Sequence, residues 1–147
     1  MKFSDFFEGQ IIETQTHRVD QQSILEFAKH YDPQWFHCDP QLAQDGPFSG
    51  LIASGWHTCG IAMRLMVESA LHDSESFASP GLNYLRWKNP VRPGDVLQVR
   101  AEVLEVRRSE SKPNLGILRW RWRMQNQDDV EVLDLEAVSL FELSRNS

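Results

Sequence analysis

The stretch SGWHTCGIAMRLMVESALH, Ser54 to His72, decides the architecture. Wound at 100° per residue, it places His57, Arg64, Glu68 and His72 on one stripe about 80° wide. The rest of the arc carries Trp56, Cys59, Ile61, Met63, Leu65, Met66, Ala70 and Leu71. A helix of this kind, opened by Ser54 in the capping position, is expected to be enclosed by protein on most sides. Gly60, inside it, is expected to permit close helix–sheet packing, against a helix-propensity cost of about 1 kcal/mol relative to Ala. In a chain of 147 residues only a sheet curled round the helix can supply the enclosure.

The segments that follow provide that sheet. Leu82 to Lys88, Val96 to Val106, Leu115 to Asn126 and Val130 to Leu143 all alternate with period two. Leu97, Val99, Ala101 and Val103 share one face of the second segment, and Leu133, Leu135, Ala137 and Phe141 one face of the fourth. The links between them, Pro90 to Asp95 and Gln125 to Asp129, are short, which predicts an antiparallel meander. Upstream, Ile11 to Arg18 alternates loosely and supplies one more strand. Asp20 caps a helix whose stripe is Ile24, Phe27, Ala28 and Tyr31, with Val19 stapled onto Ile24. Pro33 ends that helix and fixes Asp32 on a stiff corner. Asp39-Pro40 opens a short helix through Ala43, and Gly46 to Gly50 is a turn. The fold class is therefore α+β: a single domain over residues 1–147, with a long central helix wrapped by a curled antiparallel sheet of about five strands. That description is the hotdog architecture.

Composition narrows the function. Apolar residues make up 41% of the chain and charged residues 24%, enough for a substantial core. The net charge of -6 opposes binding to a phosphate backbone, so no nucleic-acid partner is expected. The longest uncharged stretch, Gly46 to Met63, is interrupted by proline, serine and histidine, and no membrane partner is expected. The start of the chain lacks the apolar segment of a secretory signal. Two cysteines, Cys38 and Cys59, make no disulfide framework and fit a reducing, cytoplasmic setting.

The chemistry lies between the first two helices. Asp32 and His37 put a carboxylate and an imidazole in an Asp-x4-His spacing, a weak signal alone, since such an aspartate can simply accept backbone hydrogen bonds. Its neighbourhood strengthens it. Gly50 to Gly55 feeds the central helix, whose first turn has no acidic residue, leaving its amides and positive dipole end free for a ligand oxygen. An acid–base pair thus stands opposite an oxyanion site at the Gly55 amide. Cys38 and Cys59 read as small buried residues: Cys38 and His37, adjacent in an extended segment, point to opposite faces. Arg119, Arg121 and Arg123 form one face of a strand, read as solvated, with contact to phosphates of a carrier as the lesser alternative.

The run from Phe27-Ala28 through Asp32-Pro33-Gln34-Trp35-Phe36-His37-Cys38-Asp39-Pro40 to Phe48-Ser49-Gly50-Leu51-Ile52-Ala53-Ser54-Gly55, with Asn89 to Asp95 further on, resembles the MaoC-like hydratase/dehydratase family. The resemblance implies a hotdog protein that adds or removes water across the 2,3 double bond of an enoyl thioester of coenzyme A or of an acyl carrier. It implies Asp32 and His37 as the catalytic residues that hold and activate the water, and the Gly55 amide as the donor to the thioester oxygen. No metal and no other cofactor is called for, because the thioester itself acidifies the α-proton. The chain departs from the family pattern at Gln34, Trp35 and Phe36, where Asn-Pro-aliphatic is usual, and at Met63, where characterised hydratases carry serine. Together with Phe48 and Trp56 these residues are the candidates for lining the substrate site, and their bulk favours a short acyl group. Thioester hydrolysis and non-catalytic acyl-CoA binding are the alternative activities. Open sheet edges and the small size of one copy predict a homodimer with an acyl site built from both chains.

Overall fold

The computed structural model describes residues 1–144. Five strands, β1 (Ile11–Arg18), β2 (Ser76–Trp87), β3 (Val96–Arg108), β4 (Leu115–Gln125) and β5 (Glu131–Glu142), form one antiparallel sheet. Four helices precede the sheet's second strand: α1 (Gln21–Tyr31), α2 (Trp35–Cys38), α3 (Pro40–Gln44) and the central α4 (Gly55–Met66). A π-helical turn over Val67–Leu71 extends α4. The sheet's inner face presents Leu97, Val99, Leu118, Trp120, Met124 and Phe141, all fully buried, and α4 lays Ile61, Ala62, Leu65 and Met66 against it. This is the hotdog arrangement expected from the two hydrophobic periods, 3.6 in α4 and 2 in the strands.

The strand order is β1-β3-β4-β5-β2, which corrects the simple meander. Only β3, β4 and β5 follow one another as hairpins. The link from Pro90 to Asp95 is a crossing connection, because β2 pairs with β5 and not with β3. β2 also begins earlier than the alternation at Leu82 suggested. It runs through Pro80 and Gly81 with register shifts, which an edge strand tolerates because its outer N–H groups have no partner to lose.

Several local expectations hold. Asp20 accepts from the Ser23 amide at 2.7 Å and caps α1. Asp39 accepts from the amides of Gln41 and Leu42 at 3.1 and 3.0 Å and caps α3, with Pro40 in its first turn. Three details differ. The segment around His37 and Cys38 is the one-turn helix α2, not extended chain, although Cys38 remains a free thiol. Ser54 precedes α4 without capping it, its hydroxyl being buried and without a well-formed hydrogen bond. Gly60 does not serve helix–sheet contact: it is exposed, and a Cβ there would meet nothing within 4 Å. One flank of α4, carrying Trp56, Gly60 and Met63, is open, so the helix is less enclosed than its composition implied.

Candidate active site

Asp32 ends α1, its amide still bonded to the Ala28 carbonyl at 2.9 Å while Pro33 forces the chain out of the helix. The α2 turn then brings His37 back towards it. His37 Nδ1 lies 2.8 Å from the Ile52 carbonyl, which can only accept, so Nδ1 carries a hydrogen. Nε2 is thereby aimed at the Asp32 carboxylate, 3.3 Å from Oδ2. The imidazole is 7% exposed and the carboxylate 16%, so the pair sits largely out of bulk water. With Nδ1–H committed to Ile52, Nε2 bonds to Asp32 only when it also carries a proton. In the neutral imidazole two acceptors face each other, and a molecule with two donor hydrogens can bridge them.

Burial pushes the Asp32 carboxyl towards its protonated form. That effect is outweighed by the Gln34 amide, the nearby Ser54 hydroxyl and the His37 ring, which together hold it below the usual carboxylate range. Gln34 Nε2 donates to Asp32 Oδ1 at 2.7 Å, so the residue that replaces the shorter asparagine of the family pattern reaches the same carboxylate.

Both groups open onto a cavity of about 440 Å³, whose opposite wall is the start of α4. Among the described residues no acceptor bonds the amides of Gly55 or Trp56, and no acidic side chain occupies that first turn. Thr58 and Trp56 line the same cavity from α4, and Trp87, Lys88 and Asn89 from the end of β2. The Ala53 amide, bonded to the Val91 carbonyl at 2.8 Å, ties the entrance of α4 to the β2–β3 connection. Arg92 Nη2 donates to the Phe48 carbonyl at 2.6 Å and fixes the turn from which Phe48 reaches the wall.

Of the residues singled out in the sequence, Asp32, His37, Gln34, Gly55, Phe48 and Trp56 meet at this cavity; Trp35, Phe36 and Met63 do not. The Trp35 ring lies over Gly46, where a Cβ would come within 2.7 Å of it, and Phe36 packs edge-on to Trp35. Met63 lines a second, apolar cavity further along α4. The arginines of β4 lie elsewhere too. Arg119 pairs with Glu136 at 3.3 Å, Arg121 with Asp134 at 2.8 Å and Arg123 with Glu131 at 3.1 Å, and none of them lines the cavity beside Asp32 and His37. Trp87 carried no sequence signal. Its indole Nε1 donates to the Gly55 carbonyl at 2.9 Å, and a Cβ on Gly55 would overlap the ring. Glycine at 55 therefore accommodates Trp87.

A curled antiparallel sheet wrapped on one central helix places the protein in the hotdog class. Residues 6–118 match the MaoC like domain, and the chain belongs to this family. It is similar to the MaoC-like dehydratase from Rhodospirillum rubrum: TM-score 0.88, 37% identity, 95% of each chain covered. It is similar also to the R-hydratase PhaJ1 from Pseudomonas aeruginosa, with TM-score 0.76 and 25% identity over 95% of this chain and 84% of that one. Among sequence relatives, an uncharacterized protein YdeM of Bacillus subtilis is 34% identical over 92% of this chain and 95% of its own. A 3-hydroxyacyl-thioester dehydratase Z of Mycobacterium tuberculosis is 33% identical over 51% of this chain and 50% of its own. The family, the Rhodospirillum and Pseudomonas proteins and the mycobacterial relative carry hydratase or dehydratase names, that is, names of hydro-lyases, whereas the Bacillus relative is uncharacterized. No helix among the described residues is long and apolar enough to cross a membrane.

Proposed function

We propose that the chain reversibly hydrates the 2,3 double bond of an enoyl thioester, with Asp32 and His37 as its catalytic residues. The observation that carries this reading is the Asp32–His37 pair at 3.3 Å, facing the free amides of Gly55 and Trp56 across one cavity. Water held at the pair attacks the β-carbon as Asp32, kept ionised, takes one of its protons. His37 in its imidazolium form delivers the Nε2 proton to the α-carbon. Negative charge building on the thioester oxygen is met by the Gly55 amide and the positive end of α4. The proton then on Asp32 passes to Nε2 across the same contact, and the pair is reset. Dehydration runs the steps backwards.

Phe48, Trp56 and Gln34 border the reacting atoms, and Met63 belongs to the apolar cavity that an acyl tail would enter. The working unit of this reading is a homodimer. Trp56, Gly60 and Met63 recur at i, i+4, i+7 on the open flank of α4, Phe77 and Leu82 are exposed on β2, and β2 has a free edge. A second copy covers this apolar surface, and Gly60 allows close approach there, which explains a mid-helix glycine with no neighbour in its own chain.

A panel of enoyl and 3-hydroxyacyl thioesters, carried on coenzyme A or on a carrier protein and assayed for hydration and for thiol release, tests the reading. Hydration without thiol release is the expected result. Thiol release alone, or binding with no turnover, overturns it. Sedimentation at working concentration should give twice 17.0 kDa.

A further inference from the structure

Two cavities adjoin along α4. The first is the reaction cavity of about 440 Å³, bordered by Asp32, His37, Thr58 and Asn89. The second, about 510 Å³, is apolar and bordered by Met63, Leu71, Leu82, Leu85, Trp122 and Leu135. Trp56 borders both. On β2, Leu85 faces the apolar cavity and Trp87, two positions on and so on the same strand face, borders the reaction cavity. The Trp87 ring stands edge-on to Trp56, with centroids 5.2 Å apart and planes at 79°, and is anchored by its hydrogen bond to the Gly55 carbonyl. The boundary between the chamber that holds Asp32 and His37 and the more apolar one is thus a pair of indoles.

We propose that the Trp56–Trp87 pair is the partition that sets acyl-chain length, with Trp87 as the specificity-determining residue. This rests on the hydratase reading and adds a residue to it. A short acyl group ends against the two rings. A long straight tail needs the space on their far side, where the lining is apolar and suited to methylene groups. The partition is displaceable at Trp87, which is 45% exposed and held by one hydrogen bond, whereas Trp56 lies on the flank assigned to the second copy. Trp87 is the controlling member because its anchor lies on Gly55, the residue whose amide receives the thioester oxygen in the proposed reaction.

The test compares trans-2-enoyl thioesters of four and twelve carbons on the wild type, Trp87→Phe, Trp87→Ala and Trp56→Ala. Binding of the saturated four- and twelve-carbon acyl-CoAs is followed in parallel by calorimetry. The wild type should favour the short substrate. In Trp87→Ala the twelve-to-four ratio of kcat/KM should rise at least tenfold, and the saturated twelve-carbon acyl-CoA should bind at least tenfold more tightly. Trp87→Phe, which keeps a ring and loses the anchor, should fall between. Trp56→Ala, checked by sedimentation to be still a dimer because its ring also lies on the flank assigned to the second copy, should shift both ratios the same way, which covers misfolding of the Trp87 variants. A wild type that handles twelve carbons as well as four, or unchanged ratios in both alanine variants, overturns the partition. Absence of any hydration by the wild type overturns the hydratase reading instead, and the binding ratios still decide the partition.

Discussion

Asp32→Asn isolates the proposed chemistry from the fold. The amide oxygen of an asparagine can keep the bond from Gln34 Nε2, now 2.7 Å. The amide nitrogen, taking the place of Oδ2, would donate to His37 Nε2 across the present 3.3 Å. That bond pins the imidazole in its neutral form with Nδ1–H still on Ile52, so the pair can neither take a proton from water nor deliver one. A lost general acid–base step corresponds to about 10²- to 10⁴-fold in kcat, or about 3–5 kcal/mol of barrier. Stability should change by no more than about 1 kcal/mol, since hydrogen bonds of similar number are exchanged at a site outside the core. The loss of enone absorbance on crotonyl-CoA gives the rate, a parallel thiol assay watches hydrolysis, and a thermal melt reports the fold. His37→Ala should cost a similar factor, and the double variant little more than either single one, because both groups act on the same water and substrate in one step. Turnover of Asp32→Asn within tenfold of wild type, or losses that multiply in the double variant, would refute the shared role.

Gln34→Leu leaves the burial of Asp32 in place and removes the amide that opposes it, so the carboxyl pKa must rise. The acid limb of the kcat/KM profile should move to higher pH, and an unmoved limb would detach Gln34 from the site. Gly55→Ala should lower both melting temperature and turnover, because its Cβ overlaps the Trp87 indole; Trp87→Ala in the same chain should recover the stability. Arg121→Met should destabilise by about 3 kcal/mol, since it leaves Asp134, 2% exposed, without its bidentate partner. Arg121 foremost holds the Asp134 carboxyl below its ordinary value against desolvation, so this stabilisation is present above the unfolded pKa and fades as pH falls through the folded one. The deficit of the variant, read by denaturant titration, should therefore shrink below about pH 4.

What the sequence revealed, and what it hid, divides along local and non-local lines. The existence of α4, the inward faces of β3, β4 and β5, and the caps at Asp20 and Asp39 depend on spacing alone and were readable, but which flank of α4 stays open was not: Trp56 and Met63 are exposed while His57 is half-buried. Strand order was not, because the short link from Pro90 to Asp95 looks the same whether it turns a hairpin or crosses the sheet. The α2 turn has four residues, too few to show a helical period. At the site, Asp32 and His37 were legible from their resemblance and from the helix start nearby. The aromatic pair Trp35 and Phe36 misled because sequence adjacency to Asp32 and His37 says nothing of where a ring turns; Trp35 turns to Gly46. Trp87 was silent, since its importance comes from an approach between residues 32 positions apart.

The order of the strands also bears on synthesis. β1 must wait for β3, and β2, complete at Trp87, must wait for β5, which does not begin until Glu131. A ribosome therefore produces the whole site-bearing half before any of its strands can be matched, leaving the apolar helix α4 without the sheet it packs on. That interval is one of exposure to aggregation, and it is where a holding chaperone has most to do. Residues 96–142, by contrast, pair successively as they emerge. Breaking the chain between Pro90 and Asp95 should accordingly give two pieces of unequal character: a downstream ribbon able to pair with itself, and an upstream piece that acquires structure only when the ribbon is supplied.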